Sequence, residues 1–116
     1  MHSMNKASQA YAAAAITRRS TREQEADVFR EVIATMQVAR QASPIERVRA
    51  LADNRRLWST VTDTVRDPTN ALARETRAGI LSIGLTVQRE MDAAEPNFDF
   101  LISINKQIAE GLSGNP

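Results

Sequence analysis

The chain has 116 residues, 42% of them apolar and 25% charged, with a net charge of +1; this size and balance describe one folded domain with a single modest core. Cysteine is absent and the only histidine is His2, which excludes disulfide frameworks, thiolate zinc sites, cysteine nucleophiles, histidine-based triads and multi-histidine metal sites. The aliphatic run Ala12 to Ile16 falls far short of the ~20 residues a membrane span needs, and it has no leucine-rich signal core, so the chain is expected in the cytoplasm with no membrane partner.

Residues 1–19 form an alanine-rich arm, helical by composition but marginal as an isolated helix, and are expected to order on packing or on binding a partner. Residues 20–116 read as a single helical domain. Ser20-Thr21-Arg22-Glu23 has capping-box spacing and marks a helix start. Phe29, Val32, Ile33 and Met36 then recur at helical period, and the pattern ends near Gln41. Ser43-Pro44-Ile45-Glu46 repeats the start signal, with proline where its missing N–H costs nothing, and opens a second helix running to about Val65.

Asp67-Pro68-Thr69-Asn70 breaks the chain, because the residue before a proline is pushed out of helical geometry. A third helix is expected from about Ala73 to Ala93, and Glu95-Pro96-Asn97 breaks the chain again. The fourth, about Asn97 to Glu110, carries Phe100, Leu101, Ile104 and Ile108 on one face, with Gly111 as its natural end. Helices of these lengths with short connections imply an all-α fold: a small antiparallel helical bundle of four main helices with an alanine-rich N-terminal arm.

Three features break the simple pattern. On a helical wheel, Leu51, Trp58, Val61 and Val65 form the buried seam of the second helix and Asn54 falls inside it. A buried amide must find partners or cost on the order of 1–3 kcal/mol, so Asn54 is either a structural tie or a ligand contact. Arg55 lies beside the seam and Arg56 points away from it. The third helix has two apolar stripes, Leu72, Thr76, Ile80, Ile83 and Val87 on one face and Leu81 and Leu85 opposite, so it is either sandwiched or leaves a strip free for a partner. Gly79 and Gly84 weaken this helix and point to another backbone approaching closely. Finally, residues 1–66 carry 11 basic and 7 acidic residues (+4) and residues 67–116 carry 4 and 7 (−3). Such a split is a solvated surface, a steering field, or an attraction between the two halves. Carboxylates are scattered among arginines and no glycine-rich phosphate loop is present, so neither an enzyme nor a cofactor is expected.

Asn54-Arg55-Arg56-Leu57-Trp58, then Asp67-Pro68-Thr69-Asn70, then Leu81-Ser82-Ile83-Gly84-Leu85 resemble the flagellar biosynthesis regulator FlaF family of alphaproteobacteria. The ending Leu101-Ile102-Ser103-Ile104-Asn105 with Ile108-Ala109-Glu110-Gly111-Leu112 and the early Ala10-Tyr11-Ala12 are similar to the same family, in the same order. Two positions depart from it: Ala73, where the family often has proline, and Thr86, where it has an aromatic or large apolar residue. The resemblance implies a small cytoplasmic protein that supports flagellin production or export, with flagellin as direct partner in the manner of a secretion chaperone and FlbT as a possible second partner. Tyr11, Leu81, Leu85, Arg55 and Arg56 are the candidate partner-binding residues, and Asn54, Trp58 and Asn105 the candidate structural ones. RNA binding is the alternative, favoured by Arg18, Arg19, Arg22, Arg47, Arg55 and Arg56. The low net charge and 4% aromatic content oppose it. A scaffold for FlbT is a third reading.

Overall fold

The computed structural model describes the backbone of residues 6–112 and the side chains of residues 23–112. Four helices follow in order: α1 (Lys6–Ala39), α2 (Pro44–Arg66), α3 (Arg74–Met91) and α4 (Phe98–Leu112). No strand occurs among the described residues, and the all-α bundle expected from the sequence is the fold observed.

One expected boundary is absent. α1 runs unbroken from Lys6 to Ala39, so Ser20 lies inside a helix and caps nothing. The arm drawn as residues 1–19 is, from Lys6 onward, the first half of α1. No glycine or proline interrupts Lys6–Ala39, and an alanine-rich segment adjoining a packed helix extends it without a new nucleation step. At 1.5 Å per residue α1 is about 50 Å long, which accounts for the molecule's 63 Å longest dimension.

The other boundaries fall within a few residues of expectation, each for an identifiable local reason. Ser43 caps α2: its hydroxyl accepts the Glu46 N–H at 3.4 Å and donates to the Glu46 carboxylate at 3.3 Å, and Pro44 sits in the first turn. α2 ends where Asp67, held extended before Pro68, breaks the helical geometry. The Asp67 carboxylate then accepts the Thr69 backbone N–H at 2.9 Å and hydroxyl at 2.7 Å, which holds its carboxyl below the usual range. Asn97 caps α4, its side-chain oxygen accepting the Phe100 N–H at 3.0 Å.

α1 packs along both α2 and α4, whereas α3 packs closely along α2. The register follows from named contacts. Phe29 of α1 meets Trp58 of α2 edge to face, 6.1 Å between centroids, and Arg40 at the end of α1 meets Asp99 at the start of α4. α2 and α4 therefore both run antiparallel to α1. Arg77 Nε donates to the Val65 carbonyl at one end of α3, and Arg55 reaches Met91 at the other, so α3 runs antiparallel to α2. The core lies where the four meet, around Phe29, Met36, Trp58, Val87, Met91 and Leu101.

Two faces differ from expectation. In α4 the buried positions are Phe98, Leu101, Ile102, Asn105 and Ala109, while Phe100 is 38% exposed and Ile104 and Ile108 are half-buried. Because α4 is covered by α1 on one flank and α2 on another, its buried arc centres on Asn105 and not on the most apolar line. In α3 the line against α2 runs through Gly84, between the two apolar stripes. A Cβ at Gly84 would stand 2.9 Å from Thr62 Cγ2 and 3.6 Å from the Trp58 ring, so glycine lets α3 settle onto the indole.

Gly79, read in the same way from sequence, has nothing within 4 Å of such a Cβ among the described residues. The two glycines thus make opposite predictions. Gly84→Leu is expected to lower stability by about 1–3 kcal/mol through overpacking. Gly79→Leu is expected to leave it unchanged or raise it by about 0.5–1 kcal/mol through helix propensity. Urea unfolding of both variants checks this, and equal effects would refute the assigned packing.

Candidate functional site

The two fully buried polar side chains among the described residues are Asn54 and Asn105, and they touch. Trp58, buried on α2, has a single polar atom, the indole N–H, which can only donate. It donates to Asn105 Oδ1 of α4 at 2.9 Å. Asn105 must therefore turn its amide nitrogen the other way, where it donates to Asn54 Oδ1 of α2 at 2.7 Å. That in turn directs the Asn54 nitrogen at Met91 Sδ of α3, at 3.3 Å. The indole thus fixes the direction of every bond in a chain that crosses three helices.

This chain supplies the partners that a buried amide requires. Its last acceptor, a thioether, is a weak one. No sequence signal singled out Met91, since a methionine at a helix end reads only as core filler.

The arginines expected at a partner surface lie as follows. Arg55 Nη1 pairs with Asp92 at 2.7 Å and Nη2 donates to the Met91 carbonyl at 3.2 Å, holding the last turn of α3 against α2. Arg56, more exposed, stands 3.6 Å from Asp53 on its own helix. Arg47 lies over the Phe98 ring, 5.1 Å from its centroid, and Arg40 bonds Asp99 at 2.6 Å. Arg40, Arg47 and Arg55, all from the basic half, thus grip the segment from Met91 to Asp99 in the acidic half. Part of the charge split is an attraction between the halves.

The apolar candidates separate. Leu81 is half-buried and Leu85 is 53% exposed; both lie on the flank of α3 opposite Ile80 and Ile83. Tyr11, like Arg18, Arg19 and Arg22, lies outside the residues whose side chains are described.

Between α1 and α4 an open depression of about 570 Å³, lined by Gln37, Arg40, Asp99, Ser103, Lys106 and Glu110 among others, is too polar and too shallow for an enclosed small-molecule site. Among the described residues no three His, Cys, Asp or Glu side chains are grouped to hold a metal, and no helix is long and apolar enough to cross a membrane.

The fold is a small helical bundle in which a buried polar chain ties three of the four helices together. The chain matches the family described as flagellar protein FlaF over residues 7–112 and belongs to that family. No curated protein and no solved structure matches it.

The buried chain is open to a direct test. Asn105→Leu leaves the Trp58 N–H and the Asn54 oxygen unpaired and is expected to cost about 2–6 kcal/mol, at about 1–3 kcal/mol for each orphaned group. Asn54→Ala orphans the Asn105 nitrogen and is expected to cost about 1–3 kcal/mol. Urea unfolding followed by Trp58 fluorescence measures both; an Asn54 variant of normal stability that no longer binds a partner would make Asn54 a contact residue.

Proposed function

We propose that this flagellar protein binds flagellin in the cytoplasm as a secretion chaperone and regulator, and so promotes flagellin synthesis or export, without enzymatic activity. Membership of the FlaF family supports the flagellar role. The observation that carries the finer reading is α3: it is supported closely by α2 alone and keeps Leu85 exposed and Ile80, Leu81 and Ile83 half-buried, with Leu72 exposed just ahead of its first turn. Amphipathic terminal segments of flagellin would otherwise self-associate, and an aliphatic helix face of this kind takes such a segment by helix docking.

The RNA reading draws less support, because Arg40, Arg47 and Arg55 are engaged within the chain and nucleic-acid binding needs free cations and stacking surfaces. Titrating the purified protein with flagellin, FlbT and flagellin leader RNA at two salt concentrations separates the readings. Flagellin is expected to bind with an affinity that hardly changes between low and high salt, as apolar docking requires, whereas phosphate contacts weaken steeply. Salt-sensitive RNA binding without flagellin binding would replace the proposal by the RNA reading, and binding to FlbT alone by the scaffold reading.

A further inference from the structure

We propose that α1 is the interface between two copies of this chain, paired antiparallel so that the basic first half of each α1 lies along the acidic stretch of the other. Phe29 of α1 stands level with Trp58 of α2, and Arg40 with Asp99 of α4. α2 continues past Trp58 to Arg66, and α4 past Asp99 to Leu112. Both run antiparallel to α1, so, counted residue for residue, α2 ends beside about Thr21 and α4 beside about Asp27. The backbone from Lys6 to Ser20, about 22 Å of helix, therefore extends beyond both helices that pack along α1.

Charge along this helix changes sign at one point. Lys6, Arg18, Arg19 and Arg22 are the only charged residues of α1 up to Arg22, and Glu23, Glu25 and Asp27 follow at once. These three acidic residues are exposed. Asp27 pairs with Arg30 on its own helix, while Glu25 has no ion pair with the described residues. A helix that is basic and then acidic repels a parallel copy of itself and attracts an antiparallel one. A second copy is thus a partner whose charges match this helix, whereas a nucleic acid drawn to the basic half is repelled by the acidic stretch.

The same helix carries a line fit to meet its copy. Taken at alternating steps of three and four residues from Ala7, the line passes through Ala14, Thr21, Val28 and Val38, the spacing of a two-stranded coiled coil. It lies off the buried line of Phe29, Ile33 and Met36, and Val28 and Val38 are 47% and 72% exposed. Glu31 is its one charged member. Turned antiparallel about the point between Arg22 and Glu23, the line meets itself. Ala7 comes level with Val38 of the other copy, Thr17 with Val28, Thr21 with Gln24, and Glu31 with the short Ala14. Arg18 and Glu25 stand seven residues apart on one edge of the line. Two-fold symmetry brings like edges together, so Arg18 of each copy faces Glu25 of the other. Each bundle then supports the projecting half of its partner's α1.

The test is the oligomeric state of the full chain, followed by sedimentation equilibrium over a range of concentrations at low and high salt, with circular dichroism to check folding. A reversible dimer that weakens as salt rises is expected. Arg18→Glu and Glu25→Arg each turn two attractive pairs into repulsive ones. Each variant alone is expected to keep its helix content and to dimerise about tenfold more weakly than the parent chain. Mixed in equal amounts, the two variants restore both pairs in a heterodimer, which is expected to form within about threefold of the parent affinity. A parent chain that stays monomeric at every concentration would overturn the pairing. A dimer indifferent to both reversals would place the interface elsewhere, and weakening by both without recovery on mixing would overturn the register. The pairing does not rest on the flagellin reading: a monomeric parent chain whose flagellin capture is lost in Arg18→Glu would make flagellin the occupant of α1 and overturn the pairing alone.

Discussion

The bundle depends on how one indole N–H is satisfied. Trp58 is buried in the core, and an unpaired N–H there would cost on the order of 1–3 kcal/mol, a sizeable share of the stability of a chain this size. Because the indole only donates, its demand passes through Asn105 and Asn54 to Met91. The chain has one direction and one register. Sliding α4 by a turn removes Asn105 from Trp58, and sliding α3 removes both the sulfur from Asn54 and Gly84 from the indole face. Aliphatic packing alone tolerates such shifts, since leucine and isoleucine contacts are non-directional. A buried polar chain in which each member has a partner does not.

Electrostatics reinforces the same arrangement from outside. The connection between α3 and α4, residues 92–97, has little apolar burial of its own, with Pro96 half-buried and its neighbours exposed. Arg55 at its beginning and Arg40 and Arg47 at its end hold it by ion pairs and by stacking on Phe98. Each pair is partly exposed and so contributes modestly, typically 1 kcal/mol or less, and is weakened by salt. Their effect is positional: α4 begins at the end of α1 because both ends of its leading segment are fixed.

Much of this was legible in the sequence, and the misses share a cause. The Ser43 cap, the Asp67-Pro68 break and the Asn97 start are local devices, set by the chemistry of a few adjacent residues, and each stands within a residue or two of its expected place. Asn54 was found on the seam because periodicity locates a helix face. Ser20 misled because the capping-box pattern is equally compatible with a helix interior when no breaker precedes it, and the alanines before it propagate a helix already packed downstream. The buried face of α4 was misread because periodicity finds the most apolar line, whereas burial is decided by where neighbours lie. α4 has two neighbours, on α1 and α2, and its buried centre falls on an asparagine between them. Gly79 and Gly84 could not be told apart from sequence, since each is a helix-weakening residue at an identical cost.

That pair separates a helix-weakening residue that the packing requires from one that it does not. A glycine inside a helix raises the free energy of that helix wherever it stands, so each one calls for a contact that a side chain would prevent. Gly84 finds its contact inside the chain, on the Trp58 ring, and the folded structure alone accounts for it. Gly79 finds none among the described residues. The core thus explains the first glycine and not the second. The polar interior holds three helices in register through Trp58, Asn105, Asn54 and Met91. Register in this domain is therefore set by a directional polar chain and one close glycine contact, where aliphatic packing alone would leave it loose.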